Sequence, residues 1–173
     1  MANTYTLISS ATVNSSSVAN IDFTSIPQTY TDLLLKMSLR IPTGTNVGLR
    51  IGMRFNGAST DANFSTILAY ADGSITGSFT SSTGFTGWMP DAGTTSNVFS
   101  NVDVYIPNYT NSSNKSFTTD AVMENNATAS YMGYFAGLWS NTAAISSIRI
   151  FDPGTSANFA INSTAYLYGI SNA

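Results

Sequence analysis

Two consecutive segments decide the fold class. Residues 32–40 read DLLLKMSLR, and residues 48–56 read GLRIGMRFN. In the first segment every second residue is apolar, beginning at Leu33, and in the second the apolar series begins at Ile51. Because side chains point alternately to opposite faces along a β-strand, each segment is predicted to be a strand with one buried face.

The same pattern recurs along the chain, between residues that favour turns. Further strands are predicted at residues 4–9, 18–23, 97–106, 116–124, 130–139, 144–151 and 164–171, with shorter candidates at 64–71, 74–79 and 159–161. No helical periodicity lies between them. Many short strands separated by turn signals are typical of sandwiches and jelly rolls. We therefore predict an all-β protein, a single-domain antiparallel β-sandwich over residues 1–173 that is jelly-roll-like and has about 9–10 strands.

The strand pattern is weakest at residues 57–93, which we interpret as a long, Gly-rich and partly irregular excursion. Long excursions in compact domains often carry function. Phe85 and Trp88 lie there in the stretch GFTGWMP, residues 84–90, outside any clear periodicity. We interpret them as a small core of the loop itself, as a contact with a neighbouring subunit, or as a sugar-stacking site.

The composition excludes several classes of chemistry. The chain has no histidine and no cysteine, which removes histidine acid–base catalysis, cysteine nucleophiles, disulfides and the usual zinc sites. The acidic residues considered as catalytic pairs are scattered along the chain: Asp61, Asp72, Asp91, Asp120 and Glu124. Residues 61–63 and 101–103 have oxygen side chains at a calcium-like spacing but lack the glycine and terminal glutamate of a calcium loop. We therefore predict a protein that is not an enzyme, with no catalytic residue, cofactor or metal.

Charge and hydropathy limit the partners. Charged residues make up 9% of the chain, against about 25% in an average soluble domain, and Ser, Thr and Asn fill 65 of the 173 positions. With a net charge of −3, the chain has no excess of basic residues that would bind nucleic acid. No apolar run approaches the ~18 residues of a membrane helix. The N-terminal residues show neither a basic nor a long apolar region, so we expect synthesis in the cytoplasm without a signal peptide.

Four of the six basic residues lie on the two opening segments: Lys36, Arg40, Arg50 and Arg54. A hairpin turn near Thr45 would pair the two strands and place Lys36 opposite Arg54. It would place Arg40 opposite Arg50 in the same way, so that all four share one face. Like charges directly opposed are unfavourable. We interpret this face either as a solvated surface that discourages aggregation or as a docking face for an acidic partner. The remaining alternative is that the two strands do not pair.

Several phrases of the sequence resemble a known family. They are TYTLISS (residues 4–10), IDFTSIPQTYTDLLLKMSLR (21–40), NVDVYIPNYTNSSNKSF (101–117), ENNATASY (124–131), AGLW (136–139) and AYLYGI (165–170). In this order they resemble small all-β virion proteins of tailed bacteriophages, common in phages of aquatic bacteria and cyanobacteria. The resemblance spans nearly the whole chain and fades at residues 57–93.

The resemblance implies a structural virion component, most like a capsid decoration (cement) protein that binds the outer head lattice and reinforces the shell. It implies the major capsid protein as a partner, a homotrimer as the bound form, and the outer capsid surface as the location. The family supplies no functional motif to carry over residue by residue. The expected shell contacts come from the residues themselves: Lys36, Arg40, Arg50 and Arg54, or the 57–93 excursion with Phe85 and Trp88.

The alternative is a tail or fibre component whose loops bind a glycan or another receptor on the host surface. In that case Trp88 or Tyr109 is the expected sugar-stacking residue. An enzyme such as a glycan depolymerase would need paired carboxylates, for which Asp120 and Glu124 are the candidates.

Overall fold

The computed structural model describes residues 4–46, 48–74, 76–124, 126 and 130–171. Within these ranges the regular secondary structure consists of twelve strands and no helix. The strands are β1 (Tyr5–Thr12), β2 (Asn20–Phe23), β3 (Asp32–Ser38), β4 (Leu49–Phe55), β5 (Phe64–Ala71), β6 (Thr76–Ser81), β7 (Phe85–Met89), β8 (Asn101–Ile106), β9 (Lys115–Met123), β10 (Tyr131–Trp139), β11 (Ile148–Phe151) and β12 (Thr164–Ile170).

Eight of these strands form four nested antiparallel pairs. The outermost pair joins β1 to β12, and inside it β2 pairs with β11, β3 with β8, and β4 with β7. Successive pairs alternate between two sheets, so that β1–β12–β3–β8 lie side by side in one sheet and β2–β11–β4–β7 in the other. A long hairpin folded over in this way is a jelly roll. The predicted antiparallel, jelly-roll-like sandwich is therefore confirmed.

The remaining four strands enlarge one of the two sheets. In sequence, β5 and β6 follow β4, whereas β9 and β10 follow β8. In space they lie side by side beyond β8, in the order β9, β10, β5 and β6. The molecule is thus an eight-stranded sheet packed on a four-stranded one.

The edge strand β7 of the four-stranded sheet is enclosed on both faces by the enlarged sheet. A Cβ atom at Gly87 would lie 3.0 Å from the Cβ of Ala121 on β9. In the other direction, the Phe85 ring lies 4.9 Å from that of Phe135 on β10. All five residues of β7 are buried as a result.

The core between the sheets is rich in aromatic rings. Phe55 of β4 packs edge-to-face against Trp139 of β10, with ring centroids 5.3 Å apart. Phe64 and Phe117 complete this cluster, and all four side chains are buried. Edge-to-face aromatic contacts add to the stabilisation that burial of the rings provides. Trp139, the last residue of β10, is thus a core residue.

Most predicted strands begin and end within a few residues of the observed ones, and the main differences lie at residues 57–93. This segment contains three strands, of which β5 has the predicted bounds and β7 was not predicted. A strand buried on both faces shows no alternation, so β7 lacked the pattern that identified the others. Residues 159–161, by contrast, form no strand.

The predicted hairpin of residues 32–40 and 48–56 is wrong. β3 lies between β12 and β8 in the larger sheet, whereas β4 lies between β11 and β7 in the smaller one. The connection between them crosses from one sheet to the other, as the folded-over hairpin of a jelly roll requires. Alternation identified both strands but carried no information about their partners.

Candidate functional site

The structure separates the four basic residues that were predicted to share a face. Lys36 lies on β3 in the eight-stranded sheet, whereas Arg50 and Arg54 lie on β4 in the four-stranded sheet. Arg40 follows β3 and is only 8% exposed. The predicted common basic face is therefore wrong, because its two strands belong to different sheets.

Arg40 is an internal cation that organises a loop. Its guanidinium group donates hydrogen bonds to four oxygen atoms: the carbonyls of Asp91 (2.7 Å), Thr95 and Val98 (both 2.9 Å), and the hydroxyl of Thr94 (3.3 Å). The loop between β7 and β8 is wrapped around this group. Arg40 is thus committed within the chain and offers little surface to a partner.

The outer face of the four-stranded sheet carries an arginine that the sequence interpretation did not select. Arg149 on β11 lies directly opposite Arg54. Asp61 accepts two hydrogen bonds from Arg54, at 2.8 and 3.1 Å, and Asp22 accepts two from Arg149, at 2.7 and 3.1 Å. The hydrogen bond to Asp22 raises the pKa of Arg149. Arg54 and Arg149 are thus each paired with a carboxylate, and these pairs lower the net charge of the face.

Phe85 and Trp88 are core residues of the sandwich. They are 1% and 7% exposed. The Trp88 ring stacks on that of Tyr131, with centroids 5.0 Å apart, and the guanidinium of Arg50 lies 5.3 Å from the centroid of Phe85. The structure thus favours the interpretation of Phe85 and Trp88 as packing residues over a subunit contact or a sugar site.

Tyr109, the other expected sugar-stacking residue, is fully buried. Its hydroxyl donates a hydrogen bond to the carbonyl of Pro27, and burial raises its pKa. A stacking role for Tyr109 on a glycan is therefore excluded in this fold.

The acidic residues of the calcium-like stretches are engaged within the chain. Asp61 pairs with Arg54, and Asp103 pairs with Lys36. Across the part of the chain that the structure describes, no group of three or more Asp, Glu, His or Cys side chains could hold a metal ion.

An apolar surface covers the outer face of the eight-stranded sheet, and the sequence interpretation missed it. Nine large apolar or aromatic side chains, each more than a third exposed, lie on this face: Tyr5, Leu7, Ile67, Tyr105, Val122, Met132, Tyr134, Leu138 and Tyr166. A signal was present in β10, which reads YMGYFAGLW and has no charged residue on either face. A sheet with one solvated face normally alternates apolar with polar residues.

The strand register arranges this face in rows. One row runs through Leu7, Tyr168, Leu34, Tyr105, Thr118, Ala136, Ile67 and Thr80. The next row lies two residues further along each strand, or three on β1, where the register shifts at a bulge. It runs through Ser10, Tyr166, Lys36, Asp103, Asp120, Tyr134, Ala69 and Ser78. An uncharged row thus lies beside a row that is charged only at its centre.

The charged centre consists of Lys36, Asp103 and Asp120 on three neighbouring strands. Lys36 forms an ion pair with Oδ2 of Asp103. On the neighbouring strand β9, Asp120 lies directly opposite Asp103. This pairing of like charges is unfavourable. Oδ1 of Asp103 is buried and has no hydrogen-bond partner among the residues described. The chain thus places one cation beside two carboxylates.

Shallow grooves lie on both sides of Tyr134, which is 65% exposed. The first, of about 510 Å³, is lined by Ile67, Thr118, Asp120 and Ala136 among others. The second, of about 420 Å³, includes Thr76, Ser78 and Met132. Apolar groups thus form most of the lining, with one carboxylate and several hydroxyl groups at the margins.

Tyr105 is fixed on this face by a buried carboxylate. Its hydroxyl donates a hydrogen bond to Oδ2 of Asp32 at 2.7 Å, and the N–H of Asn108 donates to Oδ1 at 2.8 Å. The hydrogen bond to Asp32, together with burial, raises the pKa of Tyr105. The ring is thereby held in place on the apolar face.

Comparison with protein-family models and with curated proteins found no match to this chain. In the ranges that the structure covers, no helix has the length and apolar character needed to span a membrane.

Proposed function

We propose that this chain is a non-enzymatic structural protein of a virion, and specifically a capsid decoration protein. It binds the outer surface of the head through the outer face of the eight-stranded sheet. The observation that carries the proposal is the gathering of nine exposed apolar and aromatic side chains on that face. Soluble monomers rarely expose large contiguous apolar patches, and such patches mark interaction sites.

The size of the face suits a protein–protein contact. Eight strands spaced by about 4.8 Å, each several residues long, give a face of roughly 900 Å². A specific interface of standard size buries about 800 Å² on each partner. Docking on this face could therefore bind the protein to a shell by surface burial, without any chemical step.

Two further observations support the proposal. Jelly rolls occur in viral capsid proteins as well as in lectins, although a fold does not by itself imply a function. The sequence phrases that resemble phage virion proteins include β3, β8 and both ends of β10, all in the same sheet. The proposed shell contact replaces the basic face that the sequence predicted.

The first test is the number of copies per particle. Particles purified from the cells that produce this chain would be analysed by quantitative mass spectrometry against the major capsid protein. Decoration predicts hundreds of copies at a fixed ratio to capsid subunits. A handful of copies would indicate a tail or fibre component, and absence from the particle would refute the proposal.

The second test is a matched pair of variants. Ile67, which is 56% exposed, lies on the proposed docking face, and Ile161, which is 50% exposed, lies off the sheet. Ile67→Ser should reduce binding to particles that lack the protein, and Ile161→Ser should leave it unchanged. Equal behaviour of the two variants would rule out this face as the contact.

The grooves beside Tyr134 favour one second candidate, a glycan-binding tail or fibre component. An exposed aromatic ring with nearby carboxylate and hydroxyl groups provides an apolar surface and hydrogen-bond partners together, as many ligand sites do. This candidate predicts few copies per virion, and binding to host polysaccharide that Tyr134→Ala abolishes.

A further inference from the structure

We infer that the partner surface which covers the eight-stranded sheet presents a cationic side chain, an arginine or a lysine, to the carboxylates of Asp103 and Asp120. The inference rests on the proposed function, since it assigns the chemistry of the surface that docks on this face. It also names Lys36, Asp103 and Asp120 as the residues that determine which partner fits.

The register of β8 and β9 brings the two carboxylates together. Asp103 lies directly opposite Asp120, so their Cβ atoms are about 4.5–5.5 Å apart. Lys36 lies on the far side of Asp103, one strand further from Asp120. Lys36 thus forms an ion pair with Asp103, and within the described ranges no cation forms an ion pair with Asp120.

A hydrogen-bond donor is missing at the same place. Lys36 bonds to Oδ2 of Asp103, whereas Oδ1 is buried and has no hydrogen-bond partner among the residues that the structure describes. A buried acceptor without a donor is costly, and more so when it is charged. A guanidinium or ammonium group of the partner, placed beside the exposed carboxylate of Asp120, would supply the missing positive charge.

The apolar surroundings make this charge pattern selective. Tyr134 and Tyr166 belong to the same row, and Tyr105 belongs to the next. A partner that covers these rings would also remove water from the carboxylates, and a desolvated carboxylate without a cation is strongly unfavourable. A neutral or acidic partner surface would therefore be rejected, and a surface with a basic group at this point would be selected.

The same argument disfavours a second copy of this chain as the occupant. Two copies packed face to face would bring together four aspartates but only two lysines from these positions. Neither copy would supply the cation that the other lacks. A surface of different sequence, with an apolar patch around a basic side chain, fits the face better.

Particles lacking the protein provide the probe. Purified chain would be added back, and binding measured by co-sedimentation between about 50 and 500 mM salt, a range over which exposed charge interactions become screened. Asp120→Asn should weaken binding at low salt by about tenfold or more and flatten its salt dependence. Lys36→Met, which removes the competing cation, should instead strengthen binding at low salt.

Asp22→Asn is the control, because it changes the net charge equally but lies on the four-stranded sheet. It should bind as the wild type does, and urea unfolding would show that all variants are folded. Loss of binding in Ile67→Ser combined with wild-type binding in both charge variants would overturn the inference and leave the proposed function standing. Stronger binding of Asp120→Asn together with weaker binding of Lys36→Met would overturn it as well. So would a dimer of the free protein that Asp120→Asn disrupts.

Discussion

At the scale of single residues, this chain uses several of its few charges inside the fold. Arg40 holds the loop between β7 and β8, and Lys115 is 1% exposed. The Nζ atom of Lys115 donates hydrogen bonds to the carbonyls of Asn111 (2.6 Å), Ser113 and Thr142. Desolvation lowers the pKa of this lysine. Around both Arg40 and Lys115, backbone carbonyls thus take the place of a carboxylate partner.

Lys115→Met should destabilise the protein by about 2–3 kcal/mol, because it leaves buried carbonyl groups without a donor. Lys36→Met, which removes an exposed ion pair, should cost less than about 1 kcal/mol. Urea unfolding followed by tryptophan fluorescence would measure both. Equal stability of the two variants would show that the carbonyl cage of Lys115 contributes nothing.

Tyr105 predicts a loss of stability at alkaline pH. Its pKa is raised in the folded state, chiefly by the hydrogen bond to Asp32, so the unfolded chain releases this proton first. The stabilisation is therefore complete below about pH 10 and is lost as the pH rises through the folded-state pKa. The difference in unfolding free energy between wild type and Tyr105→Phe should decrease from pH 8 to pH 11. A constant difference would contradict this account.

At the scale of elements, the close packing of β9 against β10, two of the four strands that enlarge the larger sheet, depends on a glycine. Gly137 of β10 lies opposite Phe117 of β9. A Cβ atom at Gly137 would come within 2.0 Å of the Phe117 ring. The ring thus occupies the space that any other residue at position 137 would fill.

Gly137→Ala should therefore destabilise the fold by about 1–3 kcal/mol or more, the usual cost of overpacking. Gly154→Ala is the matched control, because its Cβ would meet only Oδ1 of Asp152, at an ordinary 3.4 Å. Its effect should stay within about 0.5 kcal/mol. Thermal unfolding of both variants would test the pair, and an unchanged midpoint for Gly137→Ala would contradict the packing described.

At the scale of the whole molecule, the fold depends on pairings between distant parts of the chain. β1 pairs with β12, and β2 pairs with β11, although more than one hundred residues separate each pair. Folding dominated by such contacts is slow, because the chain must close long loops before the contacts form.

Refolding from urea should consequently take milliseconds to seconds rather than microseconds. Stopped-flow fluorescence would measure the rate, with Trp88 and Trp139 as buried reporters. Refolding within the dead time of mixing would contradict the expectation for this topology.

The sequence predicted the fold class better than it predicted the functional surface. Alternation located β3, β4 and β5 within two residues, since it reports which side chains are buried along one strand. It did not report that β3 and β4 lie in different sheets, and the predicted basic face failed for that reason. Arg149 was missed because its position opposite Arg54 depends on the pairing of β11 with β4.

By itself, the sequence determined that this protein is all-β, has little charge, and has no histidine or cysteine for catalysis. These properties are local or compositional, so no knowledge of distant contacts was needed. Only the tertiary structure decided that β5, β6, β9 and β10 join one sheet and that its outer face is apolar around Asp103 and Asp120. Strand order and register are set by packing between segments far apart in the chain, and the side chains of one strand do not encode them.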